Sequence, residues 1–485
     1  MKKYILIILC CLTSFPLWSY NVNMIVEHYS VDQGLPNNTV NCTLKDRDGF
    51  IWFGTWYGLC CFDGVKFKTF NKQEHDSDVP PRKIQRIVED KNGYIWVKTI
   101  DRKLYVFNKV TECFHAVYDD MKNYSENIQV IKLQNTAEGD VLLLTKDKNL
   151  LLTGVDEKGQ VTIKILFDSR DEINKHDYTL KHHVLCETEE YISWIGTDYK
   201  VAAVHKGSEL ASRPADFITS KINSGDKDSF TSFFEDGRKV WVGDRAGIFY
   251  SIDVRTGLVN RYVLSEIKGA ISNLLVTPAG YVYLSVAGQG TYEYDLAERR
   301  LQKINTEMND AMVTHAFIDQ YDKIWFHENE KALIYYDPLN HTAKRFPFTM
   351  FGKITTLYSE DAGERGLFFL SPAGEAWLFD REHAEMVYIN KLKQLSNDRA
   401  NQQFYHLMLD NDGVLWLSSA DEGVYCMNFP KKQFNLLSLS PQSAGQENYT
   451  IGVRALFQSK SGDIWVGTRW QSVYRMDRNE IGRAH

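Results

Sequence analysis

Four pairs of residues combine the side chains that hold a sugar: Trp56 and Tyr57, Asp198 and Tyr199, Asp244 and Arg245, and Arg469 and Trp470. An aromatic face stacks on a sugar ring, and an arginine fork pairs with a carboxylate or sulfate through two parallel hydrogen bonds. Each pair follows a short apolar run that ends in small residues: Gly54-Thr55, Gly196-Thr197, Gly243 or Gly467-Thr468. Taken singly, each residue reads more simply as a packing aromatic or an ordinary loop charge. Their shared position in a repeat is what marks them.

Catalytic chemistry finds less support. His182, His183 and Cys186 are close in sequence, but Glu187-Thr188-Glu189-Glu190 beside them reads as a solvated turn rather than part of a metal shell. His327-Glu328-Asn329-Glu330 lacks the second histidine of a helical zinc motif. No Gly-x-Ser-x-Gly elbow or phosphate-cradling glycine loop occurs, and Gly288-Gln289-Gly290 belongs to a strand–strand turn. The carboxylates Asp46, Asp48, Asp90, Asp410 and Asp412 sit in turns, where backbone hydrogen bonding accounts for them. No catalytic residue, metal or cofactor is expected. A carboxylate pair for glycoside cleavage depends on separation in space, which spacing in sequence does not give.

The elements that must position these residues form a repeat. A turn, an apolar strand, small residues and a second strand ending in Asp or Asn recur along the chain. Asp46-Arg47-Asp48-Gly49-Phe50-Ile51-Trp52-Phe53-Gly54-Thr55 and Lys460-Ser461-Gly462-Asp463-Ile464-Trp465-Val466-Gly467-Thr468 are nearly the same words. Aligned on the aromatic of the first apolar strand, ten units centre on Trp52, Trp96, Leu142, Trp194, Trp241, Tyr283, Trp325, Phe368, Trp416 and Trp465, at intervals of 42 to 52 residues. Four short strands fit in such a unit, which is the size of one propeller blade. A lone four-stranded sheet cannot bury both faces, whereas blades stacked around an axis can. The tryptophan would then be wedged between blades, and the Gly-Thr would lie where inner strands crowd.

The fold class expected is therefore all-β, a β-propeller. Propellers usually close with about four to eight blades. The expected partition is a seven-bladed ring over 21–345 and about three blades of an incomplete second ring over 346–485. Aromatic content of 13% with only 11 prolines suits many short strands. Lys+Arg 56 against Asp+Glu 63 gives a net charge of −7, so nucleic acid is not an expected partner. The basic start Met1-Lys2-Lys3, the apolar run over 4–12 and the small and polar residues over 13–20 read as an export signal over 1–20. That run is too short to span a bilayer, and no later segment is apolar enough to do so. Cys42, Cys60, Cys61, Cys113, Cys186 and Cys426 follow no regular spacing and read mostly as buried thiols.

The opening Tyr29-Ser30-Val31-Asp32-Gln33-Gly34-Leu35-Pro36-Asn37-Asn38-Thr39-Val40, followed by the 46–55 stretch and Gly58-Leu59, resembles a known family. It is similar to the periplasmic sensor region of hybrid two-component systems of gut Bacteroidetes, built from two-component-regulator propeller repeats. The likeness covers nearly the whole mature chain and is clearest at the first, second, ninth and tenth units. It implies two seven-bladed propellers, then a β-sandwich, a membrane helix, a histidine kinase and a response regulator. It also implies homodimers that sense a glycan fragment and switch on genes for polysaccharide use. For this chain it implies a periplasmic, oligosaccharide-binding sensor region without a membrane span. It implies no enzyme activity here, because the kinase lies outside the chain, which is expected to be a fragment. Two other functions fit the same repeats: a secreted propeller lyase or glycoside hydrolase, and a scaffold that binds protein.

Overall fold

The structure is a computed structural model. It describes residues 25–70, 81–117, 120–124, 129–170, 180–196, 201–207, 215–216, 230–304, 313–328, 331–351, 358–361, 366–371, 375–391, 404–428, 453–460, 463–468, 473–476 and 481–484. The expected export segment, 1–20, lies outside the described residues. Among those described there is no α-helix, and the strands form ten four-stranded antiparallel sheets. The first, Val40–Lys45, Ile51–Thr55, Gly58–Phe62 and Phe67–Phe70, is an up-and-down meander whose strands pair in chain order. The others run over 84–116, 130–167, 180–216, 230–262, 271–303, 313–347, 358–391, 404–428 and 453–484. The protein is an all-β propeller.

Repeated turn chemistry fixes the outer packing of each sheet. Asp46 Oδ1 accepts from the backbone N–H groups of Asp48 (3.0 Å) and Phe50 (2.9 Å), closing the turn before the second strand. Its other oxygen, Oδ2, accepts from the indole N–H of Trp52 at 2.8 Å. The same carboxylate–indole bond joins Asp90 to Trp96 (2.8 Å), Asp236 to Trp241 (2.8 Å), Asp319 to Trp325 (3.2 Å) and Asp410 to Trp416 (3.0 Å). Where the strand offers no indole, at Leu142 and Tyr283, the turn residue is Thr136 or Thr277, whose single hydroxyl serves the turn alone. A buried indole N–H needs an acceptor, and a carboxylate has one to spare after capping the turn. The strand tryptophans of the first nine sheets are wedged between sheets as expected, with Trp96, Trp194 and Trp325 fully buried, whereas Trp465 on the tenth is half-buried.

The small residues at the end of the second strand are set by crowding. A Cβ on Gly54 would lie 2.4 Å from Cys42 Sγ and 2.6 Å from Ile84 Cγ2, the latter on the next sheet. One on Gly243 would meet Ser232 Oγ at 2.5 Å and Ile271 Cγ2 at 2.7 Å. Inner strands of successive sheets approach closely here, and only glycine leaves room. The six cysteines outside the expected signal are free thiols.

Apolar clusters join each sheet to the next, from Cys42 and Trp52 against Ile84 and Phe107 between the first two sheets to Phe368 and Leu370 against Phe404 and Leu417 between the eighth and ninth. The ninth sheet is completed by the chain's beginning. Ile25–Tyr29 pairs antiparallel with Val424–Asn428, with Ile25 opposite Asn428 and Tyr29 opposite Val424. Leu35, Val40, Phe53 and Phe62 then pack on Trp416, Val424 and Cys426, so the ninth sheet also covers the first. His28 stacks on Tyr425 at 4.5 Å, and Thr43 Oγ1 meets Ser418 Oγ at 2.6 Å across this closure. A Cβ on Gly423, whose φ is +91°, would lie 2.1 Å from Tyr29 O, so glycine is required where the strands meet.

Compact units run over Met1–Phe429 and Pro430–His485. The first unit holds nine sheets among the described residues and the second holds one, 453–484. The pairing of Ile25–Tyr29 ties the first unit's last sheet to the chain's beginning. The 404–428 sheet has three strands of its own, and the strand that completes it sits almost 400 residues earlier, where a count of repeats gives it no partner.

Candidate functional site

In a four-stranded meander, the turn between the second and third strands lies at the same end as the start of the inner strand. At this end, which we call the mouth, the backbone of Trp56 ties three segments together. Its N–H donates to Thr39 O at 3.0 Å, before the first inner strand, and its carbonyl accepts from Lys83 N–H at 2.9 Å, before the second. Ile100 N–H donates to Lys83 O at 2.9 Å, and Val130 N–H to Arg102 O at 2.9 Å, continuing the pattern onto the third sheet. Thr55 organises the turn itself, accepting from Tyr57 N–H at 3.2 Å and donating to Gly58 O at 2.8 Å. A backbone held this way presents its side chains at little conformational cost on binding.

Trp56 is 38% exposed and Tyr57 58% exposed, two adjacent aromatic faces on a fixed turn. The Lys83 ammonium lies 5.2 Å from the centre of the Trp56 ring, a cation–π contact that steadies the indole from the neighbouring sheet. Sequence reasoning passed over Lys83. Its signal was weak, because a lysine beside Arg82 at the start of a strand reads as an ordinary loop charge.

The other expected residues fare differently. Asp244 is buried at the end of Lys239–Asp244, and its Oδ1 accepts from Ala246 N–H (2.9 Å) and Ile248 N–H (2.8 Å). It does for the fifth sheet what Thr55 does for the first, with Oδ1 serving the turn. Burial raises its pKa above the ordinary carboxylate range, partly offset by those backbone donors. Arg245 is exposed at the mouth end, on the fifth sheet, with three sheets between it and the first in chain order. Asp198, Tyr199, Arg469 and Trp470 lie outside the described residues.

The opposite end carries a rival hollow and the one cluster of carboxylates with metal-like spacing among the described residues. A groove of ≈ 530 Å³ between the first two sheets is lined by Phe50, Trp52, Phe67, Phe70 and Lys109 among others. Its rings are largely spent on each other, with Trp52 stacked on Phe70 at 5.4 Å. Asp46, Asp48 and Glu89 converge beside it. The Lys109 ammonium sits among them at 3.0, 2.6 and 2.8 Å, supplying the positive charge that a cation would bring.

Residues 34–57 match the family described as the two component regulator propeller, a stretch that ends on Trp56 and Tyr57. No curated protein matches the chain. Among solved structures, the chain is similar to the extracellular domain assigned to the hybrid two component system BT3049 of B. thetaiotaomicron. Identity is 14% over 95% of this chain and 66% of that one, with a TM-score of 0.32. The extracellular domain assigned to the one component system BT4673 of the same organism gives 16% identity over 93% of this chain and 61% of that one, with a TM-score of 0.30. A streptogramin B lyase gives 9% identity over 84% of this chain and 98% of that one, with a TM-score of 0.36. The chain thus spans 66% and 61% of the length of these two extracellular domains.

Proposed function

We propose that this chain is the extracytoplasmic sensing propeller of a hybrid two-component system and that it binds a glycan fragment at the mouth around Trp56, Tyr57 and Lys83. The observation that carries the reading is a coincidence of position. The stretch that matches the two component regulator propeller ends on the two aromatic residues the fold leaves exposed on a fixed turn. Adjacent exposed aromatic faces with a cation beside them suit a sugar, whose apolar ring face stacks while its hydroxyls reach polar neighbours. The same reading places the chain in the periplasm, with regulation of polysaccharide-utilisation genes as its output and a homodimer as its working state. The chain itself performs no turnover. Among the described residues, no helix is long and apolar enough to cross a membrane.

Titrating the intact chain with a panel of purified oligosaccharides, read by tryptophan fluorescence and calorimetry, tests this. Saturable binding weakened by Trp56→Ala is the expected result. Release of reducing sugar or unsaturated product from the panel would instead identify an enzyme, and absence of binding across a broad panel would remove the glycan. Sedimentation with and without ligand tests the dimer.

A further inference from the structure

Three seams between sheets are latched at the closed end in one pattern. The last residue of an inner strand is an acid, and a cation just after the third strand of the same sheet grips it. Glu89, ending Ile84–Glu89, takes the ammonium of Lys109, which follows Leu104–Asn108, at 2.8 Å. Glu187, ending Leu180–Glu187, takes Lys206, which follows Val201–His205, at 3.0 Å. Asp361, ending Tyr358–Asp361, takes Arg381, which follows Glu375–Asp380, at 2.7 Å. The same cations reach Asp46, Glu138 and Asp319 on the preceding sheets at 3.0, 2.5 and 2.5 Å. Each inner-strand acid also accepts a backbone N–H from the sheet before it: that of Arg47 on Glu89 (2.9 Å), of Ala137 on Glu187 (2.9 Å) and of Gln320 on Asp361 (3.1 Å).

The fifth sheet carries the acid without the cation. Glu235 ends Phe230–Glu235, but the residue after Phe249–Asp253 is Val254, which is buried. Glu235 stands opposite Val240, and Val240 packs with Val201 and Ala203 of the fourth sheet, so the carboxyl lies on the face that meets that sheet. Its Oε2 is buried with no hydrogen-bond partner. Ser193, opposite Ala203, places a second unpartnered buried oxygen, Oγ, on the facing side of the same seam. Such atoms are rare in folded proteins, and each weakens the packing around it. Apart from Tyr250, the buried residues of this seam's cluster are Val, Ile and Ala, whereas Trp52, Phe70, Phe107 and Phe114 help fill the seam between the first two sheets. Smaller side chains bury less apolar area. A groove of ≈ 480 Å³, lined by Thr188, Tyr191, Gly237 and Val254 among others, opens at the closed end of the seam.

Burial is the largest influence on Glu235 and raises it to about 7. The Glu187 backbone and the Lys206 ammonium favour its ionisation, and the Glu187 and Asp236 carboxylates oppose it. Lys206 is already committed to Glu138 and Glu187. Burial and the charge of Glu235 together keep the Cys186 thiol protonated. Glu189, Glu190 and Asp253, with Arg238 and Arg255, line the groove outside. We propose that the seam between the fourth and fifth sheets is a proton-operated joint in the ring: protonated Glu235 keeps it closed, and ionised Glu235 loosens it, because position 254 offers no cation. Local opening returns the carboxyl to water and to its ordinary range. The closed seam is therefore favoured most in mild acid, and the preference is lost as pH rises through neutrality. The joint stands independently of the sensing reading.

The test is hydrogen exchange of the intact chain, read by mass spectrometry at about pH 6 and about pH 8 with rates corrected for intrinsic exchange. Peptides within 180–196 and 230–262 are expected to lose protection by about fivefold to tenfold at the higher pH. Peptides within 84–116, which carry the Lys109 latch, should change less than twofold. Glu235→Gln, which fixes the side chain in a neutral form, should bring the two pH values within twofold of each other at the joint. Val254→Lys, which supplies the latch cation, should do the same, and where it folds poorly Glu235→Gln alone decides. Three results would each overturn the joint: equal protection at both pH values, a loss no larger than that of 84–116, or a pH dependence that survives in Glu235→Gln.

Discussion

The two ends of the sheets use the same residue types in opposite ways. At the closed end, between the first and second strands, charges are paired from sheet to sheet. Asp46 caps its turn, accepts from Trp52 and takes Lys109 at 3.0 Å. Arg381 is shared between Asp319 (2.5 Å) and Asp361 (2.7 Å), and Lys206 between Glu138 (2.5 Å) and Glu187 (3.0 Å). In each case a cation from the far turn of one sheet latches the near turn of the sheet before it. At the mouth, Lys98 donates to the neutral acceptors Gln85 Oε1 and Ile131 O, and Trp56 and Tyr57 keep exposed faces. A charge satisfied within the protein contributes to folding, and one left over is available to a ligand.

If that division is real, substitutions should separate stability from binding according to end. The largest effect is expected from Trp325→Ala, which removes a fully buried indole and its hydrogen bond to Asp319. Stability should fall by about 3–5 kcal/mol in denaturant titration. A loss below about 1 kcal/mol would show that the wedge is not where the closed end gets its strength.

His406 links the mouth to pH. Its folded pKa of about 4 lies below the unfolded value of about 6.5. The unfolded chain therefore binds the proton first, and stability is lost as pH falls from about 6.5 to about 4, by roughly 3 kcal/mol. In His406→Gln that slope should flatten. Glu235, near the closed end, has the opposite sign. Burial raises it to about 7, so its contribution to stability declines as pH climbs from the ordinary carboxylate value toward neutrality. Glu235→Gln should remove that decline.

Lys109→Met sharpens the comparison by leaving Asp46, Asp48 and Glu89 facing one another. The cost expected at pH 7 is about 1–3 kcal/mol. Asp48 is held below its usual range by Lys109, so its contribution is present above the unfolded pKa and lost as pH falls through the folded one. The gap between wild type and variant should therefore narrow in acid. A gap that widens on acidification would mean Lys109 is not neutralising these carboxylates. The smallest effect belongs to Tyr57→Ala, which should change the melting midpoint by no more than about 0.5 kcal/mol allows while weakening sugar binding.

Much of this was legible in the sequence because it is local. Asp and Trp six residues apart, as in Asp90 and Trp96, declare a turn and a wedge in one short window. Gly54 and Gly243 mark crowding for the same reason. Closure was hidden, since Ile25–Tyr29 reads like any short strand and its partner Val424–Asn428 lies at the other end of the first unit. The turn bonds of Asp244 were likewise not legible, because a polar residue after a small one reads as a presented side chain.

The division between the ends rests most directly on two exposed aromatics, Trp56 at the mouth (38% exposed) and Phe50 at the closed end (42% exposed), the latter lining the rival groove. The decisive measurement is a paired titration of wild type, Trp56→Ala and Phe50→Ala with the same oligosaccharide, each variant first shown to melt like wild type. Trp56→Ala is expected to weaken binding about tenfold or more, the scale of one lost stacking platform, with Phe50→Ala within twofold of wild type. Binding lost in Phe50→Ala and kept in Trp56→Ala would place the ligand in the groove and contradict the assignment of the mouth.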